Sequence, residues 1–191
     1  MVDVTGLSYH PPDITLPKGD LWIFGYGSLM WNPGFPHLAS EPGRIHGYHR
    51  ALCVWSWVHR GTEQNPGLVM GLDRGGACVG RLYQVAERDK RDVADYLYRR
   101  EMATPVYVAS LCQAIGEGGQ KRHALTFTVD RSNPQYAGKL TVAEAYNTVV
   151  RAKGRSGENP DYVTQTAAHF EDVGIRDPWF YALRDRLLEK T

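Results

Sequence analysis

Cysteine is scarce in this chain. Cys53, Cys78 and Cys112 are the three among 191 residues, and none forms a C-x-x-C pair. All three lie in apolar surroundings, which argues against a disulfide framework or a zinc site and for reduced, buried thiols. An excess of charge of either sign is missing as well. Twenty-two Lys and Arg balance 21 Asp and Glu for a net charge of +1, leaving no electrostatic basis for binding nucleic acid or an anionic membrane. No stretch approaches the roughly 18 apolar residues of a membrane span. The N-terminal MVDVTGLSYHPPDITLP lacks the basic-then-apolar order of a secretory leader. These absences predict a cytoplasmic protein with a small-molecule partner, and they leave the oligomeric state open.

With 42% hydrophobic and 23% charged residues, the composition is that of a folded domain. Residues 1–20 carry Pro11, Pro12 and Pro17 with little periodicity and read as an extended arm, so the folded domain spans 21–191. Six strand-like runs follow: LWIFG, RIHGYHRALCVWSW, GLVMGL, ACVGRLYQV, VYVASLCQAI and HALTFTVD. A helix interrupts them from about Glu87 to Met102. After Asp130 three helices are expected. Thr141 and Glu144 form a capping box, with Gly154 closing that helix. Asn159-Pro160 opens the second, which Gly174 ends, and Asp177-Pro178 opens the third.

The segment Phe24-Gly25-Tyr26-Gly27-Ser28-Leu29-Met30-Trp31 sets two glycines and a serine inside an apolar run. Such a loop can expose backbone N–H groups and admit a ligand closely, as small loops do when they hold carboxylates or oxyanions. A dinucleotide fingerprint and a nucleophile elbow both fail because Met30 stands where a glycine is needed. A Walker loop fails for want of a following lysine. A turn that merely joins two strands fits the same residues.

Val93, Leu97 and Glu101 recur at four-residue spacing, with Tyr96 beside them, so a carboxylate continues the inward stripe of the first helix. Pro105 ends that helix, leaving Glu101 in its last turn, where the helix dipole disfavours an anion. A carboxyl held there has a raised pKa and suits a general base. A structural ion pair with Arg60, Arg99 or Arg100 is the competing reading. His46 and His49 point to opposite faces of a strand and make a poor metal pair. Trp55 and Trp57 share a face and suit core or pocket wall. Arg60, in HRGTEQNPG, and Tyr162, in NPDYV, have no role that sequence alone decides.

Five ordered blocks, FGYGSLMWNPGF, GYHRALCVWS, RGTEQNPGLVMGLDRGGACVG, YLYRREM and GENPDYV, resemble the ChaC-type γ-glutamylcyclotransferases that act on glutathione. The resemblance covers about Leu21 to the C-terminus. It implies an α+β fold, a small mixed barrel-like sheet with surrounding helices. It also implies that Tyr26, Gly27, Ser28 and Leu29 hold the γ-glutamyl group, that Glu101 is the catalytic acid/base, and that Arg60 and Tyr162 contact the substrate. The implied reaction needs no metal or cofactor: the glutamyl α-amine attacks its own γ-carbonyl, giving 5-oxoproline and Cys-Gly. The alternatives are a cyclotransferase for other γ-glutamyl amides and a non-catalytic γ-glutamyl-binding protein. A serine hydrolase using Ser28 is disfavoured by the incomplete elbow.

Overall fold

The computed structural model describes residues 14–102 and 104–189. The chain divides into two compact units, each assembled from separated stretches. The first takes residues 14–49 and Leu72–Asp130, the second Arg50–Gly71 and 131–189.

The strands β1 (Leu21–Gly25), β2 (Ala39–Ser56), β3 (Gly67–Val85), β4 (Tyr107–Ile115) and β5 (Lys121–Val129) form a closed barrel in the order β1-β3-β2-β4-β5, most of it in the first unit, with residues 50–56 of β2 and 67–71 of β3 counted in the second. β1 runs antiparallel to β3, with Leu21 opposite Val85 and Gly25 opposite Arg81. It closes the ring by pairing parallel with β5 at Trp22–Ala124 and Ile23–Leu125. The sheet is therefore mixed, as expected. β3 joins two runs that read as separate strands. Gly75 and Gly76 adopt φ of +105° and +71°, which lets one strand pass through a pair of left-handed residues that resemble a turn in sequence.

Alternation along β1 explains its unbroken apolar run. Phe24 faces a cluster with Ile45, Leu72, Leu82, Cys112, Ala114 and Ala124, drawn from all five strands and filling the barrel. Leu21 and Ile23 face the opposite layer, where Val93, Ala94, Leu97 and Tyr98 of α1 (Lys90–Glu101) pack against them. Tyr98, not Tyr96, thus completes the buried stripe. α1 begins three residues later than its sequence pattern suggests because Glu87 is engaged in a turn. Its carboxylate accepts from Gly19 N (3.1 Å) and Lys90 Nζ (3.1 Å). Lys90 Nζ also donates to the carbonyls of Pro17 and Gly19. Of the expected arm, residues 1–13 lie outside the described residues. Residues 14–20 have no regular secondary structure, and Ile14 and Leu16 pack on the α1 layer.

The second unit holds α2 (Val142–Val149), the two-stranded pair β6 (Lys153–Gly154) and β7 (Gly157–Glu158), α3 (Asn159–Asp172) and α4 (Pro178–Leu188), with α4 against both α2 and α3. The capping box is present, and Asp177 caps α4 by accepting from Phe180 N at 3.0 Å. Gly154 does not close α2. It lies in β6, where an added Cβ would meet the Val58 carbonyl oxygen at 2.5 Å. α3 opens at Asn159-Pro160 as expected, although the Asn159 side chain does not cap it. The buried Asn159 amide replaces a strand neighbour for Leu68, accepting from Leu68 N at 2.7 Å and donating to Leu68 O at 2.8 Å. Cys53, Cys78 and Cys112 are buried, and none of them forms a disulfide among the described residues.

Candidate active site

After β1 the chain makes a single 3-10 turn at Ser28–Met30. Tyr26 is drawn into the barrel cluster and Leu29 into the α1 layer, each less than one-tenth exposed. Two side chains buried in opposite layers fix the segment between them. Gly27, half-buried, and Ser28, exposed, form its outer surface. Met30 N donates to Gly27 O (2.9 Å) and Asn32 N to Ser28 O (2.9 Å). The amides of Gly27, Ser28 and Leu29 precede those bonds, and such a turn offers amides at these positions to a ligand. The two glycines differ. A Cβ on Gly25 would lie 3.0 Å from Leu29 Cβ, whereas one on Gly27 would meet nothing within 4 Å. Gly25 serves packing, and the space beside Gly27 is open.

Tyr83 of β3 supports the turn from beneath. Its hydroxyl lies 2.8 Å from both the Leu29 and Met30 carbonyl oxygens. Its ring meets Phe35 edge-on at 5.5 Å and His37 at 5.0 Å. Burial raises the pKa of this phenol, against the opposing charges of Arg81 and Arg100, so it stays a donor. Sequence reading missed Tyr83, since an aromatic at an inward strand position looks like any core residue.

The last turn of α1 reaches the same loop. Arg100 Nη2 donates to Ser28 Oγ at 3.1 Å, and Nη1 donates to the carbonyls of Asn32 (2.8 Å) and Pro33 (3.1 Å). The Arg100 Nε stands 3.0 Å from Glu101 Oε1, and both side chains are 22% exposed. Of the three arginines that sequence offered as partners for Glu101, the structure selects Arg100. Glu101 keeps part of its side chain exposed while losing most of its water. Burial raises its carboxyl pKa, and the charge and hydrogen bond of Arg100 oppose that rise. Gly34 allows the close fit of this loop to α1. Its φ is +73°, and an added Cβ would overlap the Tyr96 hydroxyl, which accepts from Arg100 Nη1 at 3.0 Å.

The other two expected contacts belong to the second unit and meet each other there. The Arg60 guanidinium carbon lies 5.3 Å from the Tyr162 ring centroid, and Nη1 donates to Glu158 O at 3.1 Å. The Tyr162 hydroxyl accepts from Met70 N at 3.1 Å. The loop that carries Arg60 is tightly closed. A Cβ on Gly67 would lie 2.2 Å from Arg60 O, and one on Gly61 2.1 Å from Gly67 N. Among the described residues no group of three or more His, Cys, Asp or Glu is placed to hold a metal ion, and no helix is long and apolar enough to cross a membrane.

A family model described as ChaC-like protein matches residues 21–190. The chain belongs to the ChaC-like family. Among curated ChaC-like relatives, the glutathione-specific γ-glutamylcyclotransferase of Escherichia coli (strain K12) is 32% identical over 160 residues, covering 84% of this chain and 69% of that protein. The glutathione-specific γ-glutamylcyclotransferase 1 of Danio rerio is 31% identical over 185 residues, covering 93% of this chain and 94% of its own. In three dimensions the chain resembles the crystal structure of a γ-glutamylcyclotransferase specific to glutathione from yeast. The TM-score is 0.78 at 20% identity, over 90% of this chain and 96% of that one. That likeness establishes the mixed barrel as the fold of this ChaC-like chain.

Proposed function

We propose that this ChaC-like protein is a γ-glutamylcyclotransferase that cleaves glutathione into 5-oxoproline and Cys-Gly. The observation that carries the reading is the convergence of Glu101 and the Gly27–Ser28 turn on one guanidinium, with Ser28 Oγ and Glu101 Oε1 each about one hydrogen bond away from it. The curated relatives named for the same reaction support it.

In this reading the γ-glutamyl group lies in the open space beside Gly27 and takes hydrogen bonds from the turn amides. Tyr26 and Leu29 serve it indirectly, as the buried posts that hold the turn. The substrate α-amine, in its neutral form, attacks the γ-carbonyl carbon. Nucleophile and electrophile belong to one molecule, so holding it folded can remove roughly 7–11 kcal/mol of the barrier. Charge that develops on the γ-oxygen is met by amide donors, each typically worth about 10²- to 10³-fold in rate. The attacking nitrogen must lose a proton as its C–N bond forms, and the cysteinyl nitrogen must gain one as its bond breaks. Glu101 takes the first proton and returns it to the second nitrogen, so no water is consumed. Such a shuttle contributes about 10²- to 10⁴-fold. Arg60 and Tyr162 are proposed as contacts to a substrate carboxylate. The support is local: a guanidinium oriented by an aromatic face and a backbone carbonyl presents its remaining donors in a fixed plane. Three buried cysteines outside any disulfide among the described residues fit a reducing cytoplasmic setting, where glutathione is held as the thiol.

The test is to incubate the purified protein separately with glutathione and γ-glutamyl-alanine and to assay 5-oxoproline. Equal amounts of 5-oxoproline and Cys-Gly from glutathione are expected, with little from γ-glutamyl-alanine. Release of free glutamate, or no product, would overturn the reading. Preference for γ-glutamyl-alanine would keep the reaction and change the substrate.

A further inference from the structure

Adjacent residues on a helix point about 100° apart and do not face each other, yet Arg100 folds back to place Nε 3.0 Å from Oε1 of its neighbour Glu101. The rest of the guanidinium is held by groups outside the helix's own backbone. Asn32 O, Pro33 O and the Tyr96 hydroxyl surround Nη1, and Ser28 Oγ accepts from Nη2. Anchoring the loop requires only the two carbonyls and the serine. The contact to Glu101 adds nothing to that task. A planar, always-charged fork is suited to bridge a carboxylate and a loop at fixed spacing, whereas a lysine ammonium is a flexible point charge.

We propose that Arg100 is a positioning residue for the cyclisation. It grips Oε1 of Glu101 so that Oε2 is the oxygen that moves the proton, and it locks that carboxylate to the turn holding the γ-glutamyl group. This inference rests on the cyclotransferase reading. The charge of Arg100 has a second effect: it opposes the rise in the Glu101 pKa that burial causes, so that the base form persists at lower pH than burial alone would allow. The titratable and charged groups around the site are Arg100 and Tyr96 of α1, Tyr83 and Arg81 of β3, and His37 beyond the turn. Arg81 and His37 act on or touch Tyr83. Arg100 is the charged group that acts on Glu101.

The test uses Arg100→Gln and Arg100→Lys. In Arg100→Gln the Glu101 carboxyl, followed by carbon NMR, titrates at higher pH than in the wild type. The acid limb of kcat/KM moves the same way, and kcat falls about 10- to 100-fold, as expected for a misplaced catalytic group. Arg100→Lys keeps the charge and loses the fork, so the acid limb stays near its wild-type position while kcat falls with little change in KM. An unshifted Glu101 titration in folded Arg100→Gln overturns the proposal. So does an Arg100→Lys enzyme with raised KM and intact kcat, which would make Arg100 a loop anchor alone. The lysine variant provides the decision if the glutamine variant does not fold. The NMR titration needs no turnover, so its failure is distinguishable from failure of the cyclotransferase reading, which shows as absence of 5-oxoproline from the wild type.

Discussion

The hydroxyl of Tyr83 lies 2.8 Å from the carbonyl oxygen of Leu29, so a rigid barrel strand holds the turn by its carbonyl side. Peptide carbonyls drawn down toward β3 leave the amide side of the turn for a ligand. The barrel thereby sets the orientation of the donors on which the proposed chemistry depends.

Tyr83→Phe tests that support. The ring keeps its edge contacts with Phe35 and His37, while the Leu29 and Met30 carbonyls lose the single hydroxyl donor they share. Removing the donor from a buried carbonyl typically costs about 1–3 kcal/mol. The expected outcome is a loss of that order in urea unfolding, with glutathione KM raised more than kcat is lowered. An unchanged KM would show that the turn keeps its shape without the phenol.

Glu101→Gln retains the size of the side chain and its hydrogen bond to Arg100 but cannot exchange a proton. The variant is expected to fold, to bind glutathione with near wild-type affinity in calorimetry, and to lose at least about 10²-fold in 5-oxoproline formation. Near-normal turnover would remove Glu101 from the chemistry and leave it as the ion-pair partner of Arg100.

The two turn glycines should fail in different ways. Gly27→Val places its side chain in open space, so the protein folds while the γ-glutamyl group is excluded. Gly25→Ala pushes a methyl against Leu29, whose Cβ would be 3.0 Å away, and overpacking of this kind typically costs about 1–3 kcal/mol. Thermal melts paired with calorimetry separate them. Normal glutathione affinity in Gly27→Val would mean that the substrate lies elsewhere.

Much of this arrangement could be read from local pattern. The apolar run at 21–25, the bare turn after it, and the four-residue spacing that carries Glu101 inward are short-range signals, and each is found in the structure. What escaped was long-range. Arg60, Arg99 and Arg100 are equivalent partners for Glu101 until the chain folds and brings Asn32, Pro33 and Ser28 to Arg100 alone among them. Tyr83 and Asn159 act through backbone groups 54 and 91 residues away, separations that no periodicity encodes. The pair Gly75-Gly76 breaks the apolar pattern as a turn would, and its place inside β3 depends on neighbouring strands. The two units also interleave along the chain, so no composition change marks their boundaries.

The pH dependence of stability provides an independent measure of the environment of Glu101. Burial raises its carboxyl pKa above the ordinary 4.5 despite Arg100, so the native state holds this proton over a range in which the unfolded chain has released it. The contribution of such a group is fully present below about pH 4.5 and is lost as pH rises through the folded-state value. Glutamine at position 101 has no proton to lose. The melting temperature of the wild type, relative to Glu101→Gln, should therefore fall as pH rises above about 4.5 and through the folded-state value, with all other titrating groups cancelling in the difference. A wild type that instead gains on the variant as pH rises would mean that Arg100 outweighs burial. In that case Glu101 is an ordinary ion-paired carboxylate with a depressed pKa, poorly matched to accept a proton from an amine near neutrality.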